Sequence, residues 1–130
     1  MTEQNLPTEH HEHEAMIDWS ILEMLRSLRK KDGPDPGTKL INIFISSSPA
    51  LLNSMQAAIQ AASPESLANA AHSMKSGSLN MGATGLGELC AKLEQIGRSG
   101  TMNEAEDLLA KINREYVAVV AAFEKKLTEN

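Results

Sequence analysis

Apolar residues recur at helical spacing along most of this chain. Ile21, Leu22, Leu25 and Leu28 fall three and four apart and predict a short first helix. Asp18 stands where an N-cap belongs, with Ile17 and Leu22 placed around it as a hydrophobic staple. Arg29, Lys30 and Lys31 suit the negative end of that helix's dipole. The run Asp32-Gly33-Pro34-Asp35-Pro36-Gly37 then breaks it. Leu40, Ile41, Phe44, Ile45, Leu51, Leu52, Met55 and Ile59 mark a second helix from about Thr38 to Ala62. Pro49 lies inside that span, lacks an N–H and crowds the carbonyl of Ile45. A kink or a break near Ser46 to Ser48 is therefore expected, and the sequence does not choose between them.

Ser63-Pro64, a cap residue followed by proline, opens a third helix that runs to about Asn80 and ends near Gly82. The fourth spans roughly Thr84 to Ile96, with Leu86, Leu89, Cys90, Leu93 and Ile96 facing inward and Gly97 and Gly100 stopping it. Asn103 with Glu106 three residues on resembles a capping box. It opens a last helix whose stripe is Leu108, Leu109, Ile112, Tyr116, Val119, Val120, Phe123 and Leu127. Four long amphipathic segments behind one short helix predict an all-α fold: an antiparallel up-down four-helix bundle with a short additional N-terminal helix. Residues 1–14 carry no such pattern and are expected to be a disordered polar tail, leaving 15–130 as the single domain.

Composition and charge mainly remove possibilities. Aromatic residues are only 3% of the chain, which suits helix-on-helix packing better than strands. The single cysteine, Cys90, cannot form an internal disulfide, fits a reducing compartment and sits at a core position. A net charge of −5, with no basic run beyond Arg29-Lys30-Lys31, argues against nucleic acid or an anionic membrane as main partner. No apolar stretch approaches the ~18 residues of a membrane span, and the N-terminus lacks the apolar core of a signal peptide. A cytoplasmic protein is expected, and Met1 with its polar tail favours a free-standing one. His10, His11 and His13 stand among Glu9, Glu12 and Glu14 and are imidazoles of the kind that bind transition metals. An unsupported tail lacks the second shell of an ordered metal site, and metal binding there stays open. Trp19 is read as a packing residue.

One histidine stands apart. With Leu67 at zero on a wheel of about 100° per residue, Ala70, Ala71, Met74, Ser78 and Met81 all fall within roughly 60° of it and define a buried face. His72 lies about 140° away, on the solvent side, with Ala68, Lys75, Ser76 and Leu79 around it. Neutral imidazole is a good nucleophile, Lys75 could pair with an anion carried there, and small neighbours leave room for a partner. Leu79 and Ala68 would offer apolar contact. An exposed histidine on a helix is by itself an ordinary surface residue, so this geometry alone assigns no chemistry.

The stretch from Ala71-His72 through Lys75-Ser76-Gly77-Ser78 to Asn80-Met81-Gly82-Ala83 resembles the signature of the histidine-containing phosphotransfer (HPt) family. Leu86, Leu89-Cys90, Leu93-Glu94 and Gly97-Arg98-Ser99-Gly100 resemble the run that follows it, and Leu40 to Phe44 with Ser48-Pro49-Ala50-Leu51-Leu52 a segment upstream. The resemblance covers about Ile17 to Leu127. It implies that His72 is phosphorylated through Nε2, that Lys75 stabilises the phosphoryl group, and that Glu94 lies near the imidazole and helps orient it. Ala68, Ser76 and Leu79 become candidate partner-binding residues. Gly77 is read as a point of close helix approach.

The resemblance also implies a carrier with neither an ATP site nor kinase activity of its own. It would move phosphoryl groups between receiver-domain aspartates in a two-component phosphorelay. Its partners would be response-regulator receiver domains and a hybrid sensor histidine kinase, with Mg²⁺ supplied by the receiver and no cofactor of its own. A monomer is expected. The alternative is a non-phosphorylated helical adaptor that binds a receiver or kinase. A turnover enzyme is disfavoured, because no base, oxyanion hole and substrate cavity come together.

Overall fold

Helical periodicity becomes five helices in the computed structural model, which describes residues 13–28 and 33–129. They are α1 (Ser20–Ser27), α2 (Pro36–Gln60), α3 (Pro64–Asn80), α4 (Thr84–Ser99) and α5 (Ala105–Leu127), and no strand occurs among the described residues. The fold is all-helical. The most extensive contact joins α3 to α4; α2 packs on α3 and α5, α4 on α5, and α1 on α2. The space they enclose is filled by Leu22, Ile41, Met55, Leu67, Met74, Met81, Leu86, Leu93, Ile112, Val119 and Phe123, all buried. Phe123 meets Trp19 and Phe44 edge-on, at ring separations of 5.9 and 5.7 Å, so Trp19 is a packing residue. Cys90 is buried in the same core.

Helix boundaries depart from the sequence expectation where glycine and proline were read as stops. Pro36 and Gly37 form the first turn of α2 and do not precede it, with Asp35 as the cap: its Oδ1 accepts the Thr38 N–H at 2.8 Å. Gly37 is needed there because a Cβ would lie 2.6 Å from Arg26 Cγ on α1. Pro49 does not break α2, which stays helical on both sides of it. Its missing N–H frees the Ile45 carbonyl, and the serines before it bond the carbonyls just upstream of that one. Ser47 Oγ donates to the Ile43 carbonyl at 2.7 Å, and Ser48 Oγ bonds the Phe44 carbonyl and the Tyr116 hydroxyl.

Gly97 does not stop α4 but lies within it; a Cβ there would sit 2.7 Å from the Pro64 carbonyl and 2.8 Å from the Ala68 nitrogen. The stop is Gly100, left-handed at φ 79°. The capping box expected at Asn103 and Glu106 does not form: α5 starts after Glu104, at φ 65°, with no side-chain cap. Asp18 acts just outside α1, its carboxylate accepting the N–H and hydroxyl of Ser20 at 3.0 and 2.7 Å. The cationic run 29–31 and the tail up to residue 12 lie outside the described residues. His13 and Glu14, placed with the tail by the sequence, are described, and His13 contacts α5.

Candidate functional site

Proline at the first position of α3 fixes where the helix begins, and its apolar stripe fixes which way it faces. Leu67, Ala70, Ala71, Met74, Ser78 and Met81 are all buried, as the wheel places them. His72 consequently projects outward, its side chain 54% exposed. It is not free of the protein. Its Nδ1 lies 3.0 Å from Oε2 of Glu94, which α4 presents from a position only 8% exposed.

An ionised carboxylate can only accept hydrogen bonds. Glu94 therefore fixes the tautomer of a neutral His72: Nδ1 carries the hydrogen and donates it, and the lone pair is left on Nε2, across the ring. The second oxygen of Glu94, Oε1, accepts from Lys75 Nζ at 2.8 Å. Arg98, one turn along α4, donates to Oε2 through Nη2 at 2.9 Å and Nε at 3.2 Å. The Lys75 ammonium above all, then the Arg98 guanidinium and the His72 ring, hold the Glu94 pKa down at about 2, although burial pushes it up. The site is thus a carboxylate held by three basic side chains, one of which is the exposed imidazole.

Of the residues expected around His72, the structure brings Lys75 and Glu94 into direct or shared contact with it, and Ser76 lies exposed beside it. Leu79 is 44% exposed and also seats its Cδ2 over Gly87 of α4, where a Cβ would collide with it. Ala68 is different. It is 1% exposed, covered by Gly97, and offers a partner no surface. The wheel assumed one buried face, whereas α3 is flanked by α2 on one side and α4 on the other, so its buried arc reaches Ala68. Gly77 also departs from expectation: a Cβ there would meet nothing within 4 Å, so no close helix approach requires it.

Arg98 is a member of this site that sequence reasoning passed over. Its signal was available, because Arg98 stands four residues after Glu94 on one helix face. It was hidden by its place between Gly97 and Gly100, in a stretch read only as a helix end. Elsewhere, burial pushes the Cys90 thiol up to about 12, which makes it an unreactive core group. No group of three or more His, Cys, Asp or Glu side chains is placed to hold a metal among the described residues. Of the histidine-rich tail, His10 and His11 lie outside those residues. No helix among them is long and apolar enough to cross a membrane.

Comparison with known proteins gives this geometry a context. The Hpt-domain family model matches residues 39–122. A similar solved structure is the crystal structure of histidine-containing phosphotransfer protein B from Pseudomonas aeruginosa PAO1. It superposes with a TM-score of 0.77 at 32% sequence identity, covering 85% of this chain and 93% of that one. Comparison with curated proteins gives no match.

Proposed function

The chain belongs to the Hpt-domain family, and on that premise we propose that His72 is the residue through which it takes up and hands on a phosphoryl group. Histidine phosphotransfer in phosphorelay signalling is the work of this family, whose members carry phosphoryl groups and are not kinases. The observation that carries the assignment to His72 is its bond to Glu94, which leaves Nε2 as the available nucleophile on an exposed ring.

In the proposed step, the Nε2 lone pair attacks phosphorus in the aspartyl phosphate of a docked receiver domain. The N–P bond forms as the P–O bond breaks, and the aspartate leaves as a carboxylate. Nδ1 keeps its hydrogen, so the ring becomes a phosphorylated imidazolium. Glu94 faces the positive charge that develops and offsets it. A ring held in that cationic form is a good leaving group, which suits onward transfer to a second receiver. Lys75, one turn along α3 from His72, moves from Glu94 to the phosphoryl oxygens, whose charge of about −2 exceeds that of one carboxylate. Arg98 then keeps Glu94 in place as a positioning residue.

Receiver domains and a hybrid sensor histidine kinase are the proposed partners, docking over Ser76 and Leu79. Mg²⁺ arrives with the receiver, and the chain has no ATP site of its own. We read the helix pairings as an antiparallel up-down four-helix bundle, α2 to α5, with α1 as an additional short helix, acting as a cytoplasmic monomer. The test is incubation with a phosphorylated receiver, followed by intact mass and acid treatment. Acid-labile gain of one phosphoryl group in the wild type and none in His72→Gln is expected. Label that persists in the variant places the acceptor elsewhere.

A further inference from the structure

Glu115 is a buried carboxylate that the phosphotransfer step does not use. It stands on α5, 5% exposed. Its Oε1 lies 2.7 Å from His13 Nε2, and its Oε2 accepts the Met16 N–H at 2.9 Å. The segment from His13 to Asp18 continues from this anchor across the turn between α3 and α4. The Met16 carbonyl accepts the Gly85 N–H at 3.2 Å and the Thr84 hydroxyl at 3.3 Å. Asp18 donates its N–H to the Gly82 carbonyl at 2.7 Å.

Two glycines are shaped to this segment. Gly82 has φ 85°, and a Cβ on it would run into the Asp18 carbonyl. At Gly85 a Cβ would stand 2.8 Å from Glu115 Oε2 and 2.9 Å from Met16 Cβ. The segment therefore binds the end of α3, the start of α4 and the middle of α5 through hydrogen bonds at every step. That turn is the covalent link between the helix of His72 and the helix of Glu94. A slip of one residue between the two helices displaces Glu94 by about 1.5 Å. The His72–Glu94 bond, at 3.0 Å, does not survive such a shift.

We propose that the His13–Asp18 segment, anchored on Glu115, is a clasp that sets the register of α4 against α3 and so keeps Glu94 on Nδ1 of His72. Glu115 and His13 are then positioning residues for phosphotransfer, a role that rests on His72 being the acceptor. A buried glutamate whose two oxygens both serve the same short segment is costly unless that segment is seated, so the fold commits to the clasp.

Two variants test this by different routes. Glu115→Ala removes the anchor, and Gly85→Ala leaves the carboxylate but fills the space that the segment occupies. Amide exchange at Gly85 and Asp18 reports whether the clasp is seated, imidazole nitrogen shifts report the His72 tautomer, and uptake from a phosphorylated receiver reports the rate. In both variants the two amides are expected to exchange at least roughly tenfold faster. The His72 nitrogens are expected to move toward the values of Glu94→Ala, with uptake slowed roughly fivefold. A released clasp with wild-type nitrogen shifts and rate overturns the proposal, as does unchanged amide protection in both variants. Should Glu115→Ala fail to fold, Gly85→Ala decides, since alanine is a good helix former at that position. Should the wild type take up no phosphoryl group, the assignment to His72 fails while the nitrogen shifts still judge the clasp.

Discussion

Nδ1 of His72 and Oε2 of Glu94 face each other at 3.0 Å across two helices, an exposed ring bonded to an almost buried carboxylate. The carboxylate is held in turn by Lys75 and Arg98, which sets a stability relationship with pH. The Glu94 pKa is about 2 in the folded chain against an ordinary 4.5. A lowered folded pKa contributes stability above the unfolded value, and that contribution is lost as pH falls from about 4.5 toward 2. Glu94→Gln should therefore be less stable than wild type at pH 6 and should lose less stability on acidification through that window. Urea unfolding at pH 6 and pH 3 measures both slopes. Parallel curves for the two proteins mean that the cations do not hold the ionised carboxylate.

His72→Gln should abolish phosphoryl uptake while shifting the midpoint of thermal unfolding by no more than a few degrees. The side chain is 54% exposed and loses one solvent-screened hydrogen bond, on the order of 1 kcal/mol. Scanning calorimetry beside the uptake assay checks it. A large loss of stability would make the histidine part of the fold.

Leu79 carries two contributions that can be separated. Its exposed part is available to a receiver, and its Cδ2 rests on Gly87. Leu79→Asp should weaken receiver binding by about 1–3 kcal/mol through a buried unpaired charge. It should also cost about 1 kcal/mol of stability, from the contact with α4. Gly87→Ala drives a Cβ into Cδ2 and to 2.7 Å from Cγ of Leu79, so the leucine must swing away as a whole; receiver affinity should change, at a cost in stability of about 1 kcal/mol. Calorimetric titration with an unphosphorylated receiver, paired with urea unfolding, separates the two. Unchanged affinity in both variants removes Leu79 from the interface.

Two helical glycines should respond to alanine in opposite directions. Gly97→Ala forces a Cβ to 2.7 Å from the Pro64 carbonyl, a backbone atom that cannot turn aside, and should cost about 1–3 kcal/mol. Gly77→Ala meets nothing within 4 Å and should stabilise the chain by up to about 1 kcal/mol. Urea unfolding of both variants measures the difference, and equal effects would mean that the helices are not spaced as described.

Core truncation gives the largest effects. Leu93 and Phe123 are fully buried, and Phe123 joins Trp19, just before α1, and Phe44 of α2 to α5. Either residue changed to Ala should cost on the order of 2–5 kcal/mol. A midpoint unchanged in denaturant would place them outside the core.

The buried stripe of α3 and the outward direction of His72 were legible because helical periodicity alone fixes them. What periodicity cannot supply is the number of neighbours a helix has. Ala68 was misplaced for that reason, since α4 covers a flank that a single-faced wheel leaves to solvent. The close approach expected at Gly77 belongs to Gly97, which the sequence presents as a helix stop, because a missing Cβ looks the same in sequence whether it faces a helix or water. Glu94 was found through its place in the family motif, and Arg98 escaped because the glycines around it signalled a terminus. Glu115 lies on the inner side of α5 among apolar residues, and its partners come from a hundred residues away in sequence. No local pattern announces such a pair.

The chain contains one cysteine, and that cysteine is sealed in the core with its thiol pushed up to about 12. Alkylating reagents need the thiolate in contact with solvent, so the native molecule gives them nothing to attack. Each labelling event marks a moment when α4 has left its neighbours. Cys90 is in effect a stopwatch wired to the opening of the bundle, readable by mass alone and without adding a probe.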